Sequence, residues 1–221
     1  MSSVRPLAAL AFLPLFSGCQ LMHAFSEQPV SSETRFQGEV TERAGQLLFK
    51  PCQGKSGYVL QGDAGTDLAA TARALLTDSG QPLFADLSGT PEAGSPEGRL
   101  LVSRVYRLQG EGSGCSDPNF KRLLLRAHGN EPGWNINVSS RGMVLERIGQ
   151  PALALPYLEE RLPDGSSSIT TDADGLKLEL WLTPQHCTDS MTGGLEHLSA
   201  ELSLNGEILR GCAAYGTMRS D

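Results

Sequence analysis

Strictly alternating apolar and polar residues are the sequence feature that most constrains the fold of this chain. Residues 176–182 and 198–204 carry leucine or alanine at every second position, and residues 134–139 alternate in the same way. This is the period of a β-strand with one buried face. Asn205 and Gly206 follow the second segment directly and form the typical two-residue turn of a hairpin. The alternation and the turn therefore predict an antiparallel sheet in the second half of the chain.

The residue patterns in the first half of the chain predict shorter strands and one helix. Residues 46–50, 57–61 and 82–89 are strand-like, and residues 99–108 alternate with a break that indicates a bulge. Apolar residues recur at helical spacing between residues 67 and 76. Asp67 or Thr66 is suited to cap this helix and Gly80 to end it.

These patterns predict a mainly β protein built from two small antiparallel β-barrel or sandwich domains, the first with one short helix. We place the first domain at residues 35–120 and the second at residues 121–216, with a tail at 217–221.

The N-terminus has the composition of a secretory signal peptide. Arg5 precedes an apolar run over residues 7–16, which is shorter than the roughly 20 residues that span a bilayer. The sequence that ends at Ser17, Gly18 and Cys19 resembles a lipobox, although Phe16 stands where leucine is usual. We predict a signal peptide over residues 1–18, acylation (palmitate) of Cys19 and a tether over residues 19–34. The alternative is an ordinary signal peptide with an incidental cysteine.

The residue after Cys19 bears on the membrane in which the anchor resides. In lipoprotein sorting as known for enteric bacteria, aspartate at this place favours the inner membrane, and this chain has Gln20 instead. By this sorting rule, Gln20 implies a lipoprotein of the outer membrane that faces the periplasm.

Four further cysteines remain, and an even count in an oxidising compartment predicts two disulfides. Of the three possible pairings we favour Cys52–Cys115 and Cys187–Cys212, because each pair then lies within one predicted domain. A metal site is the alternative, but no Cys-x-x-Cys spacing is present. We therefore expect no metal and no cofactor.

The charge of the chain bears on its partners. The formal net charge is −7 at pH 7, and it becomes −8 without residues 1–18, whose only charged side chain is Arg5. An acidic chain without a basic tract is a poor candidate for nucleic-acid binding, and anionic lipid surfaces do not attract it. We expect attachment to the membrane through the lipid anchor and a possible protein partner in the envelope.

Three motifs in the second half carry a resemblance to a known family. They are Gly-Asn-Glu-Pro-Gly-Trp at residues 129–134, Cys-Thr-Asp-Ser-Met at residues 187–191, and Gly-Cys at residues 211–212. In this order they resemble a family of bacterial envelope proteins with GNEPxW, CxDxM and terminal GC motifs. The resemblance covers roughly residues 123–215 and implies a fold rather than an activity. Ser190 and residues 192–194 depart from the glycine and the charged stretch that family members often have.

The first half resembles, more loosely, the small barrel of NlpE-like lipoproteins, which act in copper homeostasis and surface sensing. The resemblance rests on a Leu-Leu-Phe-x-Pro-Cys strand end at residues 47–52, on the strand at 84–89 and on Cys115. It implies a small barrel. The scattered methionines and the expected disulfides give little support to a copper site.

The first of the three motifs has two interpretations. In the structural one, Gly129 and Pro132 shape a turn and Trp134 packs into the core. In the functional one, Asn130, Glu131 and Asp189 converge at one barrel mouth and, beside Trp134, bind a small polar or cationic ligand.

No established catalytic motif occurs in the chain: Gly-x-Ser-x-Gly, Ser-x-x-Lys, His-Glu-x-x-His and the phosphate-binding loop are all absent. We therefore expect a non-enzymatic binding, sensing or structural module of the envelope. One alternative is an inhibitor or accessory factor of an envelope enzyme, similar to lysozyme-inhibitor lipoproteins. Another is a hydrolase that uses Asp189 with His186 or His197 and requires a deep polar pocket joining them.

Overall fold

The computed structural model describes residues 33–62, 65, 67–92 and 97–219. The predicted signal peptide, Cys19 and residues 19–32 of the predicted tether lie outside the described residues. The first part contains β1 (Thr34–Arg43), β2 (Gln46–Pro51), β3 (Tyr58–Gln61), helix α1 (Leu68–Ser79), β4 (Leu83–Glu92), β5 (Gly98–Gln109) and a 3₁₀ turn (Gly114–Ser116). The predicted tether therefore ends one residue inside β1.

The second part contains only strands among its regular elements. They are β6 (Leu123–Asn130), β7 (Gly133–Ser139), β8 (Gly142–Arg147), β9 (Leu153–Leu155), β10 (Leu158–Arg161), β11 (Ser167–Ala173), β12 (Leu176–Thr183), β13 (Cys187–Thr188), β14 (Leu195–Glu196), β15 (Leu198–Leu204) and β16 (Glu207–Tyr215). The mainly β fold class with a single α-helix among the described residues is confirmed.

Strands β1 to β5 form a closed five-stranded barrel. Around the ring, β4 pairs with β1, β1 with β2, β2 with β3, β3 with β5, and β5 closes on β4. Every pair is antiparallel except β3–β5, which is parallel. A closed ring with an odd number of strands cannot alternate direction throughout, so one parallel pair is required. The predicted bulge is confirmed, because the register between β4 and β5 shifts twice.

Helix α1 packs against the barrel through the face that its spacing predicts. Leu68, Ala72 and Leu75 are buried in the barrel core. The side chain of Asp67 accepts a hydrogen bond from the backbone N–H of Ala70 at 3.1 Å, and left-handed Gly80 ends the helix. Both predicted helix ends are therefore confirmed.

The remaining strands, apart from β13 and β14, form a nine-stranded sheet that curls into a half-barrel. Its order is β10-β11-β12-β15-β16-β6-β7-β8-β9, and all its pairs are antiparallel. One face of the sheet is the core: in β12 the leucines at 176, 178, 180 and 182 are buried, while the residues between them face outward. The alternation that predicted these strands is thus the alternation between core and outer face.

Strands β13 and β14 leave the half-barrel sheet and join the barrel sheet. Cys187 pairs with Glu196, and Glu196 in turn pairs with Arg107 of β5. The predicted domain boundary at residue 120 falls between the two large sheets, but this short hairpin crosses back over it. The division into two domains stays a prediction.

Both favoured disulfides are present, with Cα–Cα distances of 5.4 Å for Cys52–Cys115 and for Cys187–Cys212. The first joins the end of β2 to the 3₁₀ turn. The second joins β13 on the barrel sheet to β16 in the half-barrel. Over loops of these lengths the entropy model assigns a contribution of about 4 kcal/mol to each.

Within the described residues, no helix has the length and apolar character needed to cross a membrane.

Candidate functional site

The predicted site residue Asp189 lies in a short hairpin, residues 187–196, which we name the arm. The arm consists of β13, the loop 189–194 and β14. The Oδ1 atom of Asp189 accepts hydrogen bonds from the N–H of Met191 (3.0 Å), the N–H of Thr192 (2.7 Å) and the Oγ1 of Thr192 (2.9 Å). Its backbone N–H donates to the carbonyl of Gly194 at 2.8 Å. The carboxylate of Asp189 thus closes the loop upon itself.

Asn130, the second predicted residue, lies beside Asp189. Its Nδ2 donates to Oδ2 of Asp189 at 2.9 Å and to Oγ of Ser190 at 3.0 Å. Burial by itself raises the pKa of Asp189, but the hydrogen bonds from Asn130, Thr192 and Met191 outweigh it and lower that pKa. The structure therefore brings Asn130 and Asp189 together around an ionised carboxylate.

The other two predicted residues lie elsewhere. Glu131 is exposed in the turn between β6 and β7. Trp134 is only 3% exposed and packs in the half-barrel core. A Cβ on Gly129 would lie 2.4 Å from Nε1 of Trp134, so glycine is needed where β6 passes the indole. The positions of Gly129 and Trp134 fit the structural interpretation of the motif.

His128 belongs to the site, although the sequence patterns did not single it out. Its Nδ1 lies 3.6 Å from Oδ2 of Asp189, and its Nε2 lies 3.2 Å from Oε1 of Glu196. The hydrogen bond with Glu196 raises the pKa of His128, against the opposing effect of desolvation. Strand periodicity was the available signal, because His128 and Asn130 are two residues apart on β6 and share its outer face.

Asp189, His128 and Glu196 form a row of ionisable side chains, and Arg107 of the barrel strand β5 lies at its end. Arg107 is 6% exposed and lies opposite Glu196 in the β5–β14 register. Desolvation lowers the pKa of Arg107, while the charge of Glu196 raises it. With His128 protonated, the order Arg107, Glu196, His128 and Asp189 alternates in sign, and it links β5, β14, β6 and the arm loop. The opposite charges of neighbouring groups offset part of the desolvation cost of each buried member.

The two histidines named in the hydrolase hypothesis do not meet Asp189. His197 lies between the rings of Tyr106 and Tyr215, with centroid distances of 4.9 Å to each, and its Nδ1 donates to the carbonyl of Tyr106 at 3.1 Å. Desolvation lowers the pKa of His197 to about 3. His186 is exposed. Neither histidine lines the two clefts beside Asp189.

The larger cleft beside Asp189, which we name the arm cleft, has a volume of about 480 Å³ and lies between the arm and the outer face of the half-barrel. Three outward side chains in adjacent strands form part of its wall: Trp181 lies opposite Glu201, and Glu201 lies opposite Arg210. The indole of Trp181 is 36% exposed. Glu201 and Arg210 form an ion pair at 3.4 Å.

A smaller cleft of about 330 Å³ lies on the other side of the arm loop and is lined by Arg107, His128 and Glu196, among others. No group of three or more histidine, cysteine or acidic side chains within the described residues is placed to hold a metal ion.

Comparisons with protein-family models, with curated proteins and with solved structures returned no match to this chain. Its function is therefore argued from the geometry of these clefts.

Proposed function

We propose that this protein is a lipid-anchored, non-enzymatic binding module of the bacterial cell envelope that holds a small polar ligand in the arm cleft. The observation that carries the proposal is the part-exposed indole of Trp181 in a cleft that also holds the charged side chains of Glu201 and Arg210. Ligand sites combine apolar or aromatic contact area with a few placed polar groups. Tryptophan supplies much of that area with little loss of side-chain entropy.

The groups around Trp181 favour a ligand with one apolar face and a polar rim, of which a sugar ring is the simplest example. Such a ring stacks its C–H face on the indole, and its hydroxyls exchange hydrogen bonds with the carboxylate of Glu201 and the guanidinium of Arg210. Asp189 is engaged by its own loop, so its role is to shape the cleft wall. This refines the earlier hypothesis in which Asp189 contacts the ligand.

The environment of His128 supports binding rather than turnover. A general base must keep one ring nitrogen free to accept a proton from the nucleophile. Both ring nitrogens of His128 face carboxylates, those of Asp189 and Glu196. The alternative roles as an enzyme inhibitor or as a hydrolase stay predictions, and the clefts provide no observation that favours either.

Two observations support a location in the envelope. The lipobox-like sequence at Cys19 implies export and acylation, and cysteine pairs close into disulfides in oxidising compartments. We place the protein on the periplasmic side of the outer membrane, where two or more acyl chains give a durable anchor.

The chain has two tryptophans, which makes the arm cleft directly observable. Trp134 is shielded in the core, so we expect a ligand in the arm cleft to change the fluorescence of Trp181 alone. The experiment is an emission titration with a panel of neutral, acidic and amino sugars and short envelope glycans. We expect a saturable shift for at least one member, and at least a tenfold loss of affinity, measured by calorimetry, in Trp181→Ala.

The matched control is Glu179→Gln, an exposed position on the same strand and outward face as Trp181. It should keep the affinity of the unmodified chain. The absence of any response across the panel at millimolar concentration would overturn the saccharide assignment. A response that persists in Trp181→Phe would place the ligand outside the arm cleft and overturn the proposed site.

A further inference from the structure

A second pair of clefts lies on another part of the described surface, at the ends of β6 and β7. One, which we name the basic cleft, has a volume of about 640 Å³ and is lined by Lys121, Arg122 and Arg141, among others. The other, which we name the apolar cleft, also measures about 640 Å³. The two share Lys121 and Met218. They therefore lie side by side, with Lys121 and Met218 between them.

The fold places the three cations at one end of the half-barrel sheet. Leu123 at the start of β6 pairs with Ser139 at the end of β7. The segment that leads into β6, with Lys121 and Arg122, thus meets the β7–β8 turn that carries Arg141. All three side chains are exposed, and none of them forms an ion pair within 4 Å in the described part of the chain.

Neighbouring arginines in the same region are already neutralised. Arg35 binds Asp86 at 2.7 Å, Arg126 binds Asp117 at 3.2 Å, and Arg219 binds Glu159 at 2.8 Å. The carboxylate in the basic cleft, that of Glu146, accepts a hydrogen bond from Asn135 at 2.7 Å. Lys121, Arg122 and Arg141 have no ion-pair partner among the described residues, and they outnumber the one carboxylate in the cleft, so the local charge there favours an anion.

The apolar cleft supplies a different chemistry beside this anion site. Phe36, Phe120, Met218 and the Cys52–Cys115 disulfide line it, and the thioether-bearing side chain of Met218 is 59% exposed. The charges of Arg35 and Asp117 at its wall are engaged by Asp86 and Arg126. Lys121 is therefore the free charge that this cleft shares with the basic cleft. Methionine and phenylalanine form surfaces that adapt to flexible apolar chains.

We propose that the two clefts together bind an anionic amphiphile, with its phosphate-type headgroup on Lys121, Arg122 and Arg141 and the first part of its alkyl chain in the apolar cleft. The same headgroup chemistry occurs in a free phosphate and in a phospholipid, so the chain length distinguishes them. This site is separate from the arm cleft and independent of the saccharide assignment.

The test uses the full chain carrying Cys19→Ala, so that no acyl chain of the protein itself competes for the cleft. The probe is monododecyl phosphate below its micelle concentration, titrated by calorimetry. Octaethylene glycol monododecyl ether has the same alkyl chain without the charge and without a sugar, and inorganic phosphate has the charge without the chain. We expect one monododecyl phosphate per protein, with both comparators at least tenfold weaker.

The variant Lys121→Gln/Arg122→Gln/Arg141→Gln should weaken binding of monododecyl phosphate at least tenfold. The matched control is Arg43→Gln/Lys50→Gln/Lys177→Gln, which removes the same charge from three exposed positions elsewhere and should leave the affinity unchanged. Thermal unfolding of both variants checks that they remain folded. Met218→Ser tests the apolar cleft, and it should weaken monododecyl phosphate binding and leave the affinity for inorganic phosphate as it was.

Three results would overturn the proposal. Equal affinity for inorganic phosphate would reduce the site to an anion site without a chain-binding part. Equal affinity for octaethylene glycol monododecyl ether would remove the role of the cations. Equal weakening in the control triple variant would assign the binding to bulk charge rather than to the basic cleft.

Discussion

His128 and His197 show how the same residue type acquires opposite properties in one small protein. The hydrogen bond of His128 with Glu196 raises its pKa, whereas desolvation between two tyrosine rings lowers the pKa of His197 to about 3. His128 therefore favours the folded state most when it is protonated, below its unfolded pKa of about 6.5, and this contribution is lost as the pH rises through its folded pKa. His197, whose folded pKa is lowered, instead disfavours the folded state as the pH falls below its unfolded pKa.

We expect His197 to destabilise the fold progressively as the pH falls below about 6.5. The unfolded chain then binds a proton that folded His197 does not take up until about pH 3. At 1.36 kcal/mol per pH unit, this amounts to about 2 to 3 kcal/mol at pH 4.5. The variant His197→Phe removes the titrating group and keeps a ring between the tyrosines. Between pH 7 and pH 4.5 the unfolding free energy of both proteins should fall. The fall in His197→Phe should be smaller than the fall in the unmodified chain by about 2 to 3 kcal/mol.

Urea unfolding at the two pH values measures this difference, and the contribution of His128 cancels because it is present in both proteins. Ile208→Phe, which places a phenylalanine at an exposed position, is the control, and its unfolding free energy should fall with pH as in the unmodified chain. An identical fall with pH in His197→Phe and in the unmodified chain would show that His197 is not held neutral.

At the scale of elements, the approach of β6 to β16 explains two of the glycines in the sequence motifs. A Cβ on Gly211 would lie 1.8 Å from the carbonyl oxygen of His128, and a Cβ on Gly129 would lie 2.4 Å from the carbonyl oxygen of Arg210. The two strands pair antiparallel, and their backbones are in close contact at the end of the ladder where Cys212 pairs with His128. This pairing holds His128 next to β16, which the Cys187–Cys212 disulfide joins to the arm.

We expect Gly211→Ala to lower the free energy of unfolding by about 3 kcal/mol. The added methyl group meets backbone atoms, which cannot turn away as a flexible side chain does, so the strands must separate. Chemical denaturation measures the change. Glu207→Ala, at an exposed position on the same strand, is the control and should change stability by less than about 0.5 kcal/mol. A near-neutral Gly211→Ala would mean that the sheet widens here without cost.

Element prediction succeeded where periodicity was strong and failed where burial did not follow apolar character. The caps of α1, the alternation of β12 and the bulge between β4 and β5 were all legible in the sequence. Strand β11 was missed because it buries serines, at positions 167 and 168, rather than large apolar side chains. The two-residue strands β13 and β14 are too short to show any period.

At the scale of the whole molecule, the arm connects the two sheets. It pairs with β5 of the barrel through β14 and is joined by the Cys187–Cys212 disulfide to β16 of the half-barrel. The charges of Arg107, Glu196 and His128 run through the same junction. The arm cleft therefore has one wall that depends on both sheets.

The proposed lipid anchor determines where the whole protein is located. We expect Cys19→Ala to move the protein from the membrane fraction to the soluble fraction of the envelope, because the acidic chain has no overall attraction to anionic lipid surfaces. Fractionation followed by mass spectrometry of the N-terminal peptide measures this, with Cys52→Ser/Cys115→Ser as a control that should keep the acylated Cys19. An unmodified Cys19 in membrane-derived protein would contradict the anchor.

Local periodicity and neighbouring residues were enough to predict the strongly alternating strands, the helix and its caps, but not β11, β13 or β14. Domain grouping predicted the pairing of the cysteines, and one of the two interpretations of the first motif placed Asn130, together with Glu131, near Asp189. Three arrangements became visible in the folded protein alone: the row of charges formed by His128, Glu196 and Arg107, the position of Trp181 in a cleft, and the cleft shared by Lys121 and Arg141. These arrangements join residues up to 89 positions apart, such as Arg107 and Glu196, through strand pairing and packing of the sheets, and neither leaves a periodic signal along the chain.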